Sequence, residues 1–177
     1  MLDPHGILAR VLSRYKDADK WVDASFEQIK RISNTKVGDV GQDFIEELCG
    51  ELKFDCSFPE GSKGKRSRQS PWDIRIEGRT FELKTATEDV SGSFQFNHIR
   101  YQRQYEGLLC VGIAPEIIHF GTWTKAEVAT GMAGNLVSME KGGSASFKLT
   151  KRPHDPDIYP ITQFEDRLLD VLGRLDA

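Results

Sequence analysis

Long hydrophobic runs are missing from this 177-residue chain. No apolar stretch approaches the roughly 18 residues that a membrane span needs. The first residues carry no signal-peptide pattern, so a cytoplasmic location is the expectation. Cysteine is scarce: Cys49, Cys56 and Cys110 are odd in number, widely spaced and set among apolar neighbours. Such a set argues against a disulfide framework and reads as buried, reduced thiols. No Cys/His pair has zinc-ligand spacing. Internal repeats and low-complexity segments are absent as well. Neither sign of charge is much in excess, 24 Lys and Arg against 27 Asp and Glu for a net charge of −3. A bulk basic field for nucleic acid is thereby excluded, and any such partner has to be met by locally placed charge.

What is there describes an ordinary globular chain, 38% hydrophobic and 29% charged, long enough to bury a core as one domain. Residues 4–15 place Ile7, Leu8, Val11 and Leu12 at helical spacing. A second helix is predicted over 21–32, with Trp21, Val22, Phe26 and Ile29 as its stripe. A third is predicted over 37–52, with Val40, Phe44, Leu48 and Leu52 as its apolar row. Gly38 and Gly41 are poor helix formers, but they would let that helix approach a sheet closely. Residues 54–58 alternate like a strand, and 108–113 and 117–120 read as further strands. Thr124 and Glu127 form a capping box that opens a short helix. Residues 144–149 alternate again, and Thr162 with Glu165 caps a C-terminal helix running to residue 175. Helices and strands in this order give an α/β class built on one mixed sheet.

The most informative segment is 73–84. It reads as two alternating strands joined at Glu77-Gly78, a tight turn with glycine in the strained position. Counting outward from that turn sets Ile76 opposite Arg79 and Asp73 opposite Glu82. Opposed residues on antiparallel strands share a face with Cβ atoms about 4.5–5.5 Å apart. Lys84, two residues beyond Glu82, shares that face. Ile74, Ile76, Phe81 and Leu83 take the other face as a core layer. Two carboxylates this close raise each other's pKa unless a cation lies between them. A divalent metal bound by hard oxygen ligands resolves that conflict and suits hydrolysis.

These residues resemble the PD-(D/E)XK nuclease superfamily, and among its members the small type II restriction endonucleases. Asp73 stands at the motif aspartate, Glu82 at the second acid and Lys84 at the motif lysine. The family's proline is matched only by Pro71, with Trp72 inserted before Asp73. The resemblance spans about half of the chain, from the helix at Gly38 to the strand ending near Ala114. It implies a restriction-endonuclease-like core, a mixed central β-sheet flanked by helices. Residues 36–177 would form the catalytic core and C-terminal helix. Residues 1–35 would form an N-terminal helical region, with Leu8, Leu12, Trp21 and Phe26 either on a dimer surface or in the chain's own core. It further implies Mg2+, with Mn2+ as a substitute, held by Asp73, Glu82 and the Leu83 carbonyl. Lys84 would position the attacking water, help to deprotonate it and stabilise the charge that builds up on the phosphorus. The product of this family carries a 5′-phosphate.

The implied activity is site-specific cleavage of double-stranded DNA by a homodimer, with a companion DNA methyltransferase acting on the same sequence. A structure-selective or repair nuclease of the junction-resolvase type, and a DNA-binding module without chemistry, are the alternatives. The superfamily's first core helix often contributes an acid. Gln42 stands at that position here, and Glu46, one helical turn on, is the acid favoured to complete the site. The stretch 61–70 carries Lys63, Lys65, Arg66 and Arg68 without an acid and suits phosphate contacts. After Lys84, the groups able to read base edges are Asn97, His98, Arg100 and Arg103, with Gln95 beside them. A plain polar loop leading into a helix is the other reading of that stretch.

Overall fold

The all-apolar stretch Gly107–Ile113 forms β5, and every one of its residues is buried. A strand buried on both faces has to sit centrally, with a layer above and below. The computed structural model describes residues 3–12, 20–61, 66–67, 70–140 and 146–177. Its main sheet combines β5 with β1 (Cys56–Ser57), β2 (Ile74–Ile76), β3 (Arg79–Thr87), β6 (Ile118–Thr124) and β9 (Tyr159–Pro160). The order is β1-β2-β3-β5-β6-β9. Among the described residues only β3 and β5 run parallel, so the sheet is mixed. The expected α/β class with a mixed central sheet and flanking helices is what the chain adopts.

Helices α2 (Asn34–Leu52) and α4 (Phe164–Asp176) cover one face. Ile45 and Cys49 of α2, Leu168 and Val171 of α4, and Ile74, Ile76, Phe81 and Leu83 of the hairpin share one core. The predicted row on α2 is off by one position. The buried residues are Val37, Gly41, Ile45 and Cys49, while Phe44, Leu48 and Leu52 flank them and Val40 is exposed. Gly41 does serve as a point of close approach: a Cβ there would lie 1.8 Å from Thr85 Oγ1 on β3. Gly38 does not, having no atom within 4 Å of such a Cβ.

The opposite face carries an element that the sequence did not foretell. Strands β4 (Phe94–Ile99), β8 (Phe147–Lys151) and β7 (Leu136–Ser138) form a separate three-stranded sheet. Phe94, Phe96, Ile99 and Leu149 pack there on Leu108, Cys110 and Trp123, with Val128 of α3 (Lys125–Ala129). The architecture is therefore three layers, helices, mixed sheet and small antiparallel sheet, rather than one sheet between helices.

Several expected elements change length or type. Helix α1 is Pro4–Leu12, and residues 13–19 lie outside the described part. The helix predicted over 21–32 is a set of turns and a short 3-10 helix, Glu27–Arg31. Asp23 at φ 60° breaks a continuous helix there. Trp21 and Ile29 nevertheless join the α2-side core, and the partly buried Phe26 packs against it. Leu8 is exposed, and the side chain of Leu12 lies outside the described part. The Thr124 capping box is present in full. The box expected at Thr162 is not made: a 3-10 turn, Ile161–Gln163, precedes α4, whose cap Gln163 gives no side-chain bond. All three cysteines are free thiols; Cys49 and Cys110 are buried, but Cys56 only half so. Among the described residues no helix is long and apolar enough to cross a membrane.

Candidate active site

The hairpin register is the one that the turn predicts, Ile76 against Arg79, Arg75 against Thr80 and Ile74 against Phe81. Glu77 and Gly78 both have positive φ, 49° and 78°, which is the backbone of a type I′ turn. Asp73 lies one residue before β2, and its amide still donates to the Phe81 carbonyl at 2.9 Å. Beyond that bond the chain before β2 turns away, while β3 continues beside β5 to Thr87. From Leu83 onward one edge of β3 therefore has no strand partner among the described residues. The Asp73 side chain takes over there, its Oδ2 accepting the Leu83 amide hydrogen at 3.0 Å. A strand residue turns its N–H and C=O to the same side, so the Leu83 carbonyl faces this open edge too.

Lys84 brings the two acids together. Its Nζ is 2.7 Å from Glu82 Oε1 and 3.6 Å from Asp73 Oδ2. The environments of the acids differ. Asp73 keeps 21% of its side chain exposed, but Glu82 keeps 2%. Glu82 projects toward the small sheet, and the segment after β4 closes over it, the Arg100 amide donating to Oε1 at 3.3 Å. A charge so enclosed is costly unless it is paired, and Lys84 is its partner. Glu82 Oε2 is buried with no hydrogen bond among the described residues, a cost of about 1–3 kcal/mol for an unsatisfied buried group. The Tyr105 hydroxyl is likewise buried without a partner. Burial, then the charge of Glu82, pushes the phenol well above its ordinary range.

Asp73, Leu83 and Lys84 open into a cleft of about 880 Å³. Its walls are the first turns of α2, the free end of β3, and β4. Among the described residues, the acids on the walls (Asp39, Asp43, Asp73 and Asp89) outnumber the cations Arg66 and Lys84. A phosphate entering such a space needs added positive charge. The donor set fits a hard divalent ion: two carboxylates, one of whose oxygens lacks a partner, and a carbonyl at an open strand edge. Mg2+ is commonly held by one or two carboxylates and keeps several waters. No cluster of three or more His, Cys, Asp or Glu side chains stands ready among the described residues, so water would supply the remaining ligands.

The other expected site residues scatter. Gln42 lines the cleft. Glu46 is engaged by Arg66, which also binds Asp43 at 2.7 Å and stacks on Phe58 at 3.7 Å. Arg66 is thus tied to α2 rather than held free for a phosphate. Lys63, Lys65 and Arg68 lie outside the described residues. Asn97 and His98 line the cleft from β4. Arg100 and Arg103 do not; Arg103 donates to the Ser70 carbonyl at 3.1 Å and helps to fasten the segment that covers Glu82.

Sequence reasoning passed over Asp89. Its carboxylate accepts hydrogen bonds from the Ser91 and Ser93 amides and hydroxyls and from Gln95 Nε2. Those bonds, led by the Ser91 hydroxyl, hold its pKa well below the ordinary range. The Asp-x-Ser-x-Ser spacing was the available signal, since such residues bond their own turn. Gln95 is spent on this knot and is not free to read a base.

No protein-family model matches this chain, and no curated protein sequence matches it. Among solved structures, a bacterial homing endonuclease, I-Ssp6803I, aligns with 81% of this chain and 97% of its own at 12% identity, with a TM-score of 0.49. So loose a likeness carries no argument about what this chain does.

Proposed function

We propose that this protein is a Mg2+-dependent endonuclease that hydrolyses phosphodiester bonds of double-stranded DNA at a specific sequence, in the manner of a type II restriction endonuclease. The observation that carries the reading is the convergence of Asp73, Glu82 and Lys84 within ion-pair distance at the open edge of β3. The resemblance carried by the sequence names the same three residues, and their proximity supports the reading.

Asp73, Glu82 and the Leu83 carbonyl would hold the metal. Bound there, the ion would supply Lewis-acid polarisation of a phosphoryl oxygen and acidify a water. Lys84 would place its ammonium where negative charge grows on the phosphorus, and its hydrogen bonds would orient the attacking water. Asp73 fixes the end of β3 through the Leu83 amide and so holds its own carboxylate and the Leu83 carbonyl in one geometry. The closed segment over Glu82 keeps bulk water from that carboxylate and strengthens its pull on any cation.

Supercoiled plasmid and phage DNA, incubated with Mg2+ or with EDTA, test the reading. Discrete fragments that require Mg2+ and vanish in Glu82→Ala are expected. A smear would move the assignment to a nonspecific or structure-selective nuclease. No cleavage of unmodified, methylated or branched DNA would sink the catalytic assignment.

A further inference from the structure

Strand β4 breaks its own alternation beside the cleft. Against β8, Phe94 pairs with Lys151, Gln95 with Thr150 and Phe96 with Leu149, but Ile99 pairs with Phe147. Three steps along β4 thus match two along β8, and one residue is extra. The extra residue lets Phe96 and Ile99 both stay buried while Asn97 and His98, adjacent in sequence, are both exposed. Uninterrupted alternation would have turned one of the two inward. His98 takes φ 60°, a left-handed conformation that costs a non-glycine residue of its shape. Bulges of this kind re-aim side chains next to active sites.

The two side chains are held differently. His98 Nδ1 lies 3.2 Å from the buried Ser146 hydroxyl and 3.7 Å from Glu140, which fixes its ring. Asn97 is exposed and lines the cleft. Neighbouring Gln95 is tied to Asp89. A polar strand residue freed by a bulge, next to a second one that is pinned, is arranged for an incoming partner. A carboxamide presents one donor and one acceptor side by side, the complement of adenine N6 and N7 in the major groove.

We infer that the β4 bulge is a base-reading device, in which Asn97 reads an adenine in the major groove of duplex DNA and the His98 backbone sets its aim. This inference rests on the nuclease reading and names one feature of its substrate. It separates Asn97 from Arg103 of the following segment, whose side chain fastens that segment to the Ser70 carbonyl.

The test is selection from a duplex pool with a randomised central block, bound to the full chain in Ca2+ and, separately, cleaved in Mg2+. Wild type is expected to enrich a motif with a fixed A·T pair. Asn97→Ala should flatten that position and leave the others. N6-methylation of that adenine should weaken binding at least about 10-fold, the loss of one bidentate contact. His98→Gly keeps a backbone at home at positive φ and should retain the adenine preference. His98→Val strains it and should lose the preference although the fold persists by circular dichroism. An Asn97→Ala motif identical to wild type overturns the inference while the nuclease reading stands. Cleavage with no enriched motif does the same. Absence of both binding and cleavage overturns both together.

Discussion

The Asp73 carboxylate accepts the Leu83 amide hydrogen at 3.0 Å, a bond that in a longer hairpin would belong to backbone. One side chain therefore terminates a strand pairing and serves as the candidate metal ligand. The two roles can be parted. Asp73→Asn keeps an oxygen acceptor for Leu83 and should leave stability within about 1 kcal/mol of wild type, whereas Asp73→Ala leaves that amide unpaired and should cost about 1–3 kcal/mol. Both should lower cleavage by at least about 100-fold, since both remove the charge. Urea denaturation beside a plasmid assay reads the difference. Equal stability of the two variants would show that the bond to Leu83 does not hold the strand end.

Lys84 lies between two carboxylates and offsets one of their two charges. A divalent cation has to compete with that ammonium. Lys84→Met should therefore bind Mn2+ more tightly by calorimetry while losing cleavage. Its melting temperature should also gain more from Mg2+ than wild type gains, because the freed acids repel until a cation arrives. Weaker Mn2+ binding in the variant would mean that the lysine organises the acids instead of competing for them.

Gly41 brings α2 against β3 where Thr85 leaves no room for a Cβ. Gly41→Ala should destabilise by about 1–3 kcal/mol through overpacking, outweighing the gain in helix propensity. The double variant with Thr85→Ala should recover part of that loss if the clash is the cause. Additive effects in chemical denaturation would place the cause elsewhere.

Asp89 gives the acid limb of stability a definite sign. Its folded-state pKa is depressed by the Ser91, Ser93 and Gln95 bonds. Its contribution is thus fully present above the ordinary Asp value of about 3.9 and is lost as pH falls below that value through the folded pKa. Asp89→Ala should lower stability at neutral pH and make it less dependent on pH below about 4. Unchanged steepness of the acid limb, followed by urea midpoints, would refute the linkage.

Much of the candidate site's geometry was readable because it is local. A two-residue turn with two positive φ angles sets the register of its strands, and a period of two then assigns every side chain to a face. Asp73, Glu82 and Lys84 follow from that counting alone, as does the apolar layer beneath them. The row on α2 was misjudged by one position because heptad-like neighbours such as Val40 and Ile45 are equally apolar in sequence. Only contact with Thr85 and the hairpin core decides which of them turns inward.

The sequence by itself determined the hairpin, its register and the meeting of two acids with a lysine, since these depend on residues within a dozen positions of one another. Tertiary structure alone decided how those groups are housed. The small sheet pairs Phe94 with Lys151, and such distant pairing leaves no short-range pattern in the chain. That sheet and the segment following β4 bury Glu82. Packing against β8 also creates the bulge that turns Asn97 and His98 outward together, and the Arg66 bonds draw Glu46 aside while Gln42 lines the cleft.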